Sequence, residues 1–168
     1  TFPNFQTGFH IKGYRRVNLW GKDRPWTDTG LQVDVGDKVY FFGTGKVTTC
    51  SHSRCNKRGP QNLGNGSISY TIGGLKTPRS LRSFQTFQPG DEAHQTSLSN
   101  TFAGILNLTV RDWNEYPPPS NYYDDNSGVY ILDIFVIDPE QEEGFNRFKD
   151  ALFKANPNDL NARAYLGN

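Results

Sequence analysis

Short runs of β-branched and aromatic residues, separated by turn-rich segments, constrain the fold of this chain more than any other feature of its sequence. They include SISYTIGG (67–74), FAGILNLTV (102–110) and VYILDIFVI (129–137), each bounded by Gly, Pro, Asn or Asp. Runs of this length and composition predict strands. Because helical periodicity is almost absent before residue 138, we expect an all-β fold, an antiparallel β-sandwich with its ligand sites on loops at one end.

The segment LQVDVGDKVYFF (31–42) alternates apolar and polar positions on both sides of Gly36-Asp37. Leu31 and Val33 precede that dipeptide, and Val39 and Phe41 follow it. Gly-Asp is typical of a turn between two strands. The pattern therefore predicts a hairpin or a bent strand pair with its turn at residues 36–37.

The sequence pattern changes at Asp138, which can cap a helix. Pro139 suits the first helical position, and Gln141 stands where a capping box has Glu or Gln. Apolar residues then recur at three- and four-residue spacing until Asn156-Pro157 stops the pattern: Phe145, Phe148, Leu152 and Phe153. We expect a β-sandwich over residues 1–137 and a helical tail over residues 138–168, with a second helix after Asp159.

The tail FNRFKDALFKANPNDLNARAYLGN also resembles one partial tetratricopeptide repeat, with an Ala-Leu pair before an Asn-Pro turn. One such unit cannot bury its own apolar face, so this resemblance implies that further helical repeats follow and that the tail contacts protein partners. The other interpretation is a C-terminal helix packed on the sandwich. The sequence leaves both open.

Charge and hydropathy exclude several kinds of partner. The chain has 18 Lys and Arg against 17 Asp and Glu, a net charge of +1, which gives no reason to expect binding to nucleic acid or to an anionic membrane. No apolar run reaches the roughly 20 residues that span a bilayer, and the start TFPNFQTGFH does not have the pattern of a signal peptide. The chain starts at Thr1 and contains no Met, so we treat its ends as arbitrary.

Catalytic motifs are not found in the sequence. The three histidines, His10, His52 and His94, are scattered, and we find no nucleophile elbow, glycine-rich phosphate loop or HExxH pair. We therefore expect a non-catalytic protein. Cys50 and Cys55 are too few for a structural zinc site, and a short disulfide is the more economical interpretation than a thiol paired with His52.

An oxygen-rich loop, WNEYPPPSNYYDDNSG (113–128), connects two predicted strands. Asp, Asn, Ser and Gly are also the residues that turns require, so a plain solvated loop explains the composition. Calcium takes six to eight oxygen ligands from carboxylates, amides and main-chain carbonyls. Side chains in and beside the loop supply such oxygens: Asp112, Glu115, Asp124, Asp125 and Asn126.

Several segments, in order, resemble the calcium-dependent galactophilic lectin family of the PA-I type. They are WTDTGLQVDVGDKVYFFGTG (26–45), GPQ (59–61), ISYTIGG (68–74) and LNLTVRDWNEYPPPSNYYDDNSGVYILDI (106–134). The resemblance covers most of residues 26–137 and implies a galactose-binding-domain-like or jelly-roll-like β-sandwich. It also implies a calcium ion as cofactor and a galactose-type glycan as ligand.

The resemblance assigns calcium ligands by position. The acid at the strand end is Asp112, and the adjacent side-chain pair before Ser-Gly is Asp125 and Asn126. Main-chain carbonyls would come from Tyr122 and Thr49. Vicinal hydroxyls of the sugar would complete the coordination, and Asp125 replaces the Asn found in the best-known lectin of the family, adding a carboxylate that favours the metal.

Around the cation, the candidate sugar contacts are Asp112, Trp113, Asp125, Asn62 and His52. The His and Gln that contact galactose in the family have no counterpart here, because only NLGNG (62–66) occupies their interval. Aromatic residues of the long loop can stack on a sugar or pack on the sandwich: Trp113, Tyr116, Tyr122 and Tyr123. The basic residues near Thr49 can favour an acidic glycan or be a solvated loop: Arg54, Lys57 and Arg58.

Two functions are consistent with these features. The first is a calcium-dependent carbohydrate-binding module. The second is a non-catalytic protein-interaction or sensor domain of a larger protein, which keeps the sandwich, has calcium as a structural ion or not at all, and has lost sugar binding. The disulfide and the calcium site favour an extracellular or periplasmic location, whereas a repeat-like tail is common inside cells.

Overall fold

The computed structural model of the chain describes residues 10–49, 59–73, 77–86, 94–113, 116–119 and 121–155. Its strands, in chain order, are β1 (Gly13–Trp20), β2 (Thr27–Val33), β3 (Lys38–Thr48), β4 (Gln61–Asn62), β5 (Ile68–Ile72), β6 (Arg79–Ser80), β7 (Gln85–Thr86), β8 (His94–Ser99), β9 (Gly104–Val110) and β10 (Ser127–Ile137). A 3₁₀ turn (Pro139–Gln141) and helix α1 (Glu142–Ala155) follow. The strands predicted from the runs at 67–74, 102–110 and 129–137 are confirmed as β5, β9 and β10.

The strands form two antiparallel sheets. Sheet A has six strands: five in the order β1, β10, β3, β8, β7, and β4, which pairs with the C-terminal end of β3. Sheet B has four strands, in the order β2, β9, β5, β6. Their inner faces form one apolar core, which includes Val17, Leu19, Leu31, Val33, Val39, Phe41, Leu106, Leu108, Leu132 and Ile134. The expected antiparallel β-sandwich with a helical tail is confirmed.

The turn at Gly36-Asp37 does not close a hairpin. β2 pairs with β9 in sheet B, and β3 pairs with β10 and β8 in sheet A, so residues 34–37 carry the chain across the core from one sheet to the other. The buried Asp37 carboxylate accepts hydrogen bonds from the Asp34 N–H at 2.8 Å and from Lys12 Nζ at 2.9 Å. The hairpin prediction is therefore wrong, because apolar alternation is the same whether two strands pair side by side or face each other across a core.

Strand β10 is buried on both faces. Its inner face contributes Leu132 and Ile134 to the core, while Phe135 and Ile137 pack in a second apolar cluster with α1 residues Phe145 and Phe148. This arrangement explains why VYILDIFVI is apolar almost throughout rather than at alternate positions. The tail helix thus packs on the outer face of sheet A, as the second interpretation of the tail proposed.

A carboxylate interrupts this apolar strand. Asp133 is 1% exposed, and it accepts hydrogen bonds from the Tyr14 hydroxyl at 2.6 Å and from Arg16 Nε at 3.1 Å. Both partners come from the neighbouring strand β1. Because the buried charge is paired and hydrogen-bonded, its desolvation is compensated locally.

Helical structure begins after Asp138, as predicted, with Pro139 in the first turn. The Asp138 side chain makes no capping hydrogen bond, and Gln141 Oε1 accepts from the His10 N–H at 2.7 Å. The capping-box role predicted for Gln141 is therefore wrong, because a distant backbone segment occupies its amide. Residues 156–168, where a second helix is predicted, lie outside the described ranges. No helix in the described segments is long and apolar enough to cross a membrane.

Gly128 at the start of β10 provides a test of the local geometry. Its φ is +87°, and a Cβ there would lie 2.2 Å from the carbonyl O of Lys46, whereas at Gly36, with φ of +94°, a Cβ would meet nothing within 4 Å. We expect Gly128→Ala to lower the free energy of unfolding by more than the roughly 1–3 kcal/mol of a strained left-handed residue alone. Gly36→Ala is the control for that strain. Equal losses in urea unfolding would contradict the steric argument.

Candidate functional site

The candidate site lies at one end of the sandwich, where β1 and β3 end and β10 begins. Ser127, the first residue of β10, pairs with Thr48, the last residue of β3. Gly21, directly after β1, donates from its N–H to the carbonyl O of Gly128 at 2.9 Å. These contacts fix the turn 121–126 against two strand ends of sheet A.

Tyr123 joins this turn to sheet B. Its hydroxyl donates to the carbonyl O of Val110, the last residue of β9, at 2.7 Å, and its carbonyl O accepts from the Asn126 N–H at 3.2 Å. Burial, with a smaller contribution from the charge of Asp112, raises the pKa of Tyr123 to about 12. Tyr123 is 1% exposed, so it packs inside and cannot stack on a sugar.

The two polar atoms of the Asn126 side chain differ in their hydrogen bonding. The residue is fully buried, and Nδ2 donates to the carbonyl O of Gly21 at 2.9 Å. Oδ1 is buried and accepts no hydrogen bond. Leaving a buried acceptor unsatisfied costs roughly 1–3 kcal/mol, and a cation bound at that oxygen would remove the cost.

Asp112 follows the end of β9 and is half-buried. The residue takes part in other interactions, and its Oδ2 atom is buried without a hydrogen bond, as Asn126 Oδ1 is. Two predicted metal ligands therefore have buried side-chain oxygens, and the hydrogen bond from Tyr123 to the Val110 carbonyl joins the two segments that carry them. Carboxylate and amide oxygens are ligands that calcium prefers, so this donor set fits calcium.

The other predicted ligands occupy the same end of the sandwich. Thr49 is half-buried directly after β3, and the pairing of Ser127 with Thr48 brings it beside the turn. Asp125 is half-buried and Tyr122 is 42% exposed. Asp124 is exposed, and its Oδ1 forms an ion pair with Arg24 Nη2 at 3.2 Å.

Within the ranges that the structure describes, no three His, Cys, Asp or Glu side chains are grouped for metal binding. A cation at this site would therefore depend on the Asn126 amide and on main-chain carbonyls as well as on carboxylates. Such mixed oxygen sets suit calcium, whereas zinc takes imidazole and thiolate ligands.

Four of the five predicted sugar contacts lie within the described residues, and one does not. Asn62 in β4 pairs with Lys46, two residues before Thr48, so it lies exposed near the same end of sheet A. His52 lies outside the described residues, as does the predicted disulfide between Cys50 and Cys55. The same holds for the basic residues of that segment: Arg54, Lys57 and Arg58.

Three aromatic side chains meet beside the site, and we call Trp26, Trp113 and Tyr116 the aromatic cluster. The ring centroids of Trp113 and Tyr116 are 5.5 Å apart, and those of Trp26 lie 6.2 Å from Trp113 and 6.1 Å from Tyr116. The Trp26 indole Nε1 donates to the Tyr116 hydroxyl at 3.1 Å. Tyr116 is 45% exposed, so the cluster has a face open to solvent.

Sequence reasoning missed Trp26. It belongs to the segment 26–45 that carries the family resemblance, and no local pattern there distinguishes it from an ordinary aromatic residue before a strand. It reaches the site because Thr27 pairs with Leu108 in β9, close to the end of the strand that Asp112 follows. Only the pairing of two strands distant in sequence could reveal that proximity.

Comparisons with known proteins give matches among solved structures. A scan of the sequence against protein-family models gives no match, and a search of curated proteins gives none either. A solved structure described as the EclA N-terminal domain, a PllA-like lectin, is similar to this chain at 17% sequence identity with a TM-score of 0.49. The alignment covers 73% of this chain and 95% of that one.

Proposed function

We propose that this chain is a calcium-dependent carbohydrate-binding module without catalytic activity. The observation that carries the proposal is the buried, unsatisfied Oδ1 of Asn126, at the position where the sequence resemblance expects a calcium ligand. The oxygens that would hold the cation come from the side chains of Asp112, Asp125 and Asn126 and from the main-chain carbonyls of Thr49 and Tyr122.

The arrangement suits recognition of vicinal hydroxyls. Calcium accepts six to eight oxygens, so a set of five protein residues leaves coordination positions that two sugar hydroxyls can fill. A shallow loop site then selects hydroxyl stereochemistry through the metal rather than through a deep pocket. We propose a galactose-type glycan as the first ligand class to test.

Thermal melts in EGTA, in excess calcium and in excess calcium with glycans test the proposal. At a calcium concentration 100 times its Kd, binding to the folded state contributes about 2.7 kcal/mol, which corresponds to a rise of about 5–10 °C in Tm for a chain of this size. Magnesium at the same concentration is the control, since its smaller ion demands near-octahedral geometry. A galactoside is expected to raise Tm further.

The two functions predict different melts. A calcium shift with no further shift across a glycan panel would overturn the carbohydrate-binding function and leave a calcium-stabilised interaction domain. That alternative is favoured by the loop 62–66, which does not carry the His and Gln that contact galactose in the family the sequence resembles. The absence of any calcium shift would overturn the metal site in both.

A further inference from the structure

We infer that the aromatic cluster forms a second sugar subsite, which binds the apolar face of the pyranose ring next to the one at the calcium site. The inference rests on the proposed function and extends it from one sugar residue to at least two. The cluster joins residues from two segments, Trp26 before β2 and Trp113 and Tyr116 after β9.

The cluster adjoins the calcium site at the end of β9. Trp113 directly follows Asp112 in the chain, and Trp26 directly precedes Thr27, which pairs with Leu108 in β9. The carboxylate and the aromatic cluster therefore both lie where β9 ends. A glycan that reaches the metal with one ring has its next ring within reach of the cluster.

Contacts within the aromatic cluster hold its rings in a fixed arrangement. The hydrogen bond from Trp26 to the Tyr116 hydroxyl at 3.1 Å and the edge-on packing of Trp26 against Trp113, with an interplanar angle of 74°, fix their orientation. Aromatic side chains combine a large apolar surface with a polar tip, which matches a pyranose ring with an apolar face and a hydroxylated rim. Preorganised rings lose little entropy on binding.

Tryptophan fluorescence can locate the contact. The chain contains three tryptophans, and Trp20 is 51% exposed at the end of β1. In Trp20→Phe the signal comes from Trp26 and Trp113 alone. Methyl galactoside and a galactose-terminated disaccharide would be titrated, in calcium, into Trp20→Phe and Trp20→Phe/Tyr116→Ala, with an immobilised glycan panel as a second measurement.

We expect the disaccharide to change the tryptophan fluorescence of Trp20→Phe and Tyr116→Ala to weaken its binding roughly tenfold, a size common for an interface aromatic residue. Affinity for calcium and for the monosaccharide is expected to stay within about threefold in Tyr116→Ala, because neither contacts Tyr116. Trp113→Ala should weaken disaccharide binding by a similar factor, but Trp113 follows Asp112 directly and is also a candidate contact of the first sugar, so the comparison between the two sugars uses Tyr116→Ala.

The outcomes separate the two proposals. Glycan binding that is unchanged in Tyr116→Ala and Trp113→Ala, with unchanged fluorescence, would overturn the second subsite and leave the calcium module intact. Equal losses for monosaccharide and disaccharide in Tyr116→Ala would overturn it too. If no glycan on the panel binds in calcium, the proposed function fails, and the subsite fails with it.

Discussion

Replacing Asp112 with alanine is expected to weaken calcium binding by about 100-fold or more, since even outer-shell partners of metal ligands contribute 10- to 100-fold. Asp112 supplies a carboxylate with a buried Oδ2 at the end of β9. The apolar core is built from other residues, so the Tm in EGTA should remain close to that of the wild type. Calcium titration calorimetry, together with melts in EGTA and in calcium, measures both effects.

Asp124→Ala is the matched control for this prediction. Both substitutions remove one carboxylate at the same end of the sandwich, yet Asp124 is exposed and paired with Arg24. Its loss should change calcium affinity by no more than about threefold through long-range charge alone. Wild-type affinity in Asp112→Ala, or a large loss in Asp124→Ala, would contradict the ligand assignment.

Phe145→Ala is expected to lower the free energy of unfolding by about 3–5 kcal/mol, the usual range for removing a buried phenylalanine. Phe145 is 1% exposed, and its ring centroid lies 4.6 Å from that of Tyr40 and 5.3 Å from that of Phe135. The loss would be a large fraction of a typical domain's stability. Urea unfolding followed by circular dichroism measures it.

The same experiment tests where the domain ends. If α1 folds as one unit with the sandwich, Phe145→Ala should shift a single transition, whereas a tail that belongs to a separate repeat array would melt on its own. Arg147→Ala is the control on the same helix, since its ion pair with Glu143 is exposed on both sides and should contribute no more than about 0.5 kcal/mol. A loss below about 1 kcal/mol in Phe145→Ala would contradict joint folding.

Local pattern predicted much of the fold because burial on one face of a sheet imposes alternation on the sequence. The runs that became β5, β9 and β10 were found in this way. Strand β1 was missed: GYRRVNLW carries two arginines, and one of them, Arg16, is half-buried because it pairs with Asp133 across the sheet. The residues near a charged side chain do not show whether it will pair with a buried charge on another strand.

The residues of the candidate site were likewise predicted only in part. Asp112, Asp125 and Asn126 were predicted from residue chemistry and a family resemblance, and the structure places them at one end of the sandwich. Trp26 was not predicted, because its partners Trp113 and Tyr116 are distant in the chain. Tyr123 was left open between sugar contact and packing, and its hydrogen bond to the Val110 carbonyl decides for packing.

By itself, the sequence determined the fold class, the start of the tail helix and the oxygen-rich loop, since each follows from residue types within a few positions of one another. Tertiary structure alone decided that β2 and β3 lie in different sheets and that α1 covers β10. It also decided that Asn126 Oδ1 is buried without a partner and that Trp26 joins the aromatic cluster. Each of these depends on contacts between distant segments, and local spacing carries no information about which distant segment will supply the partner.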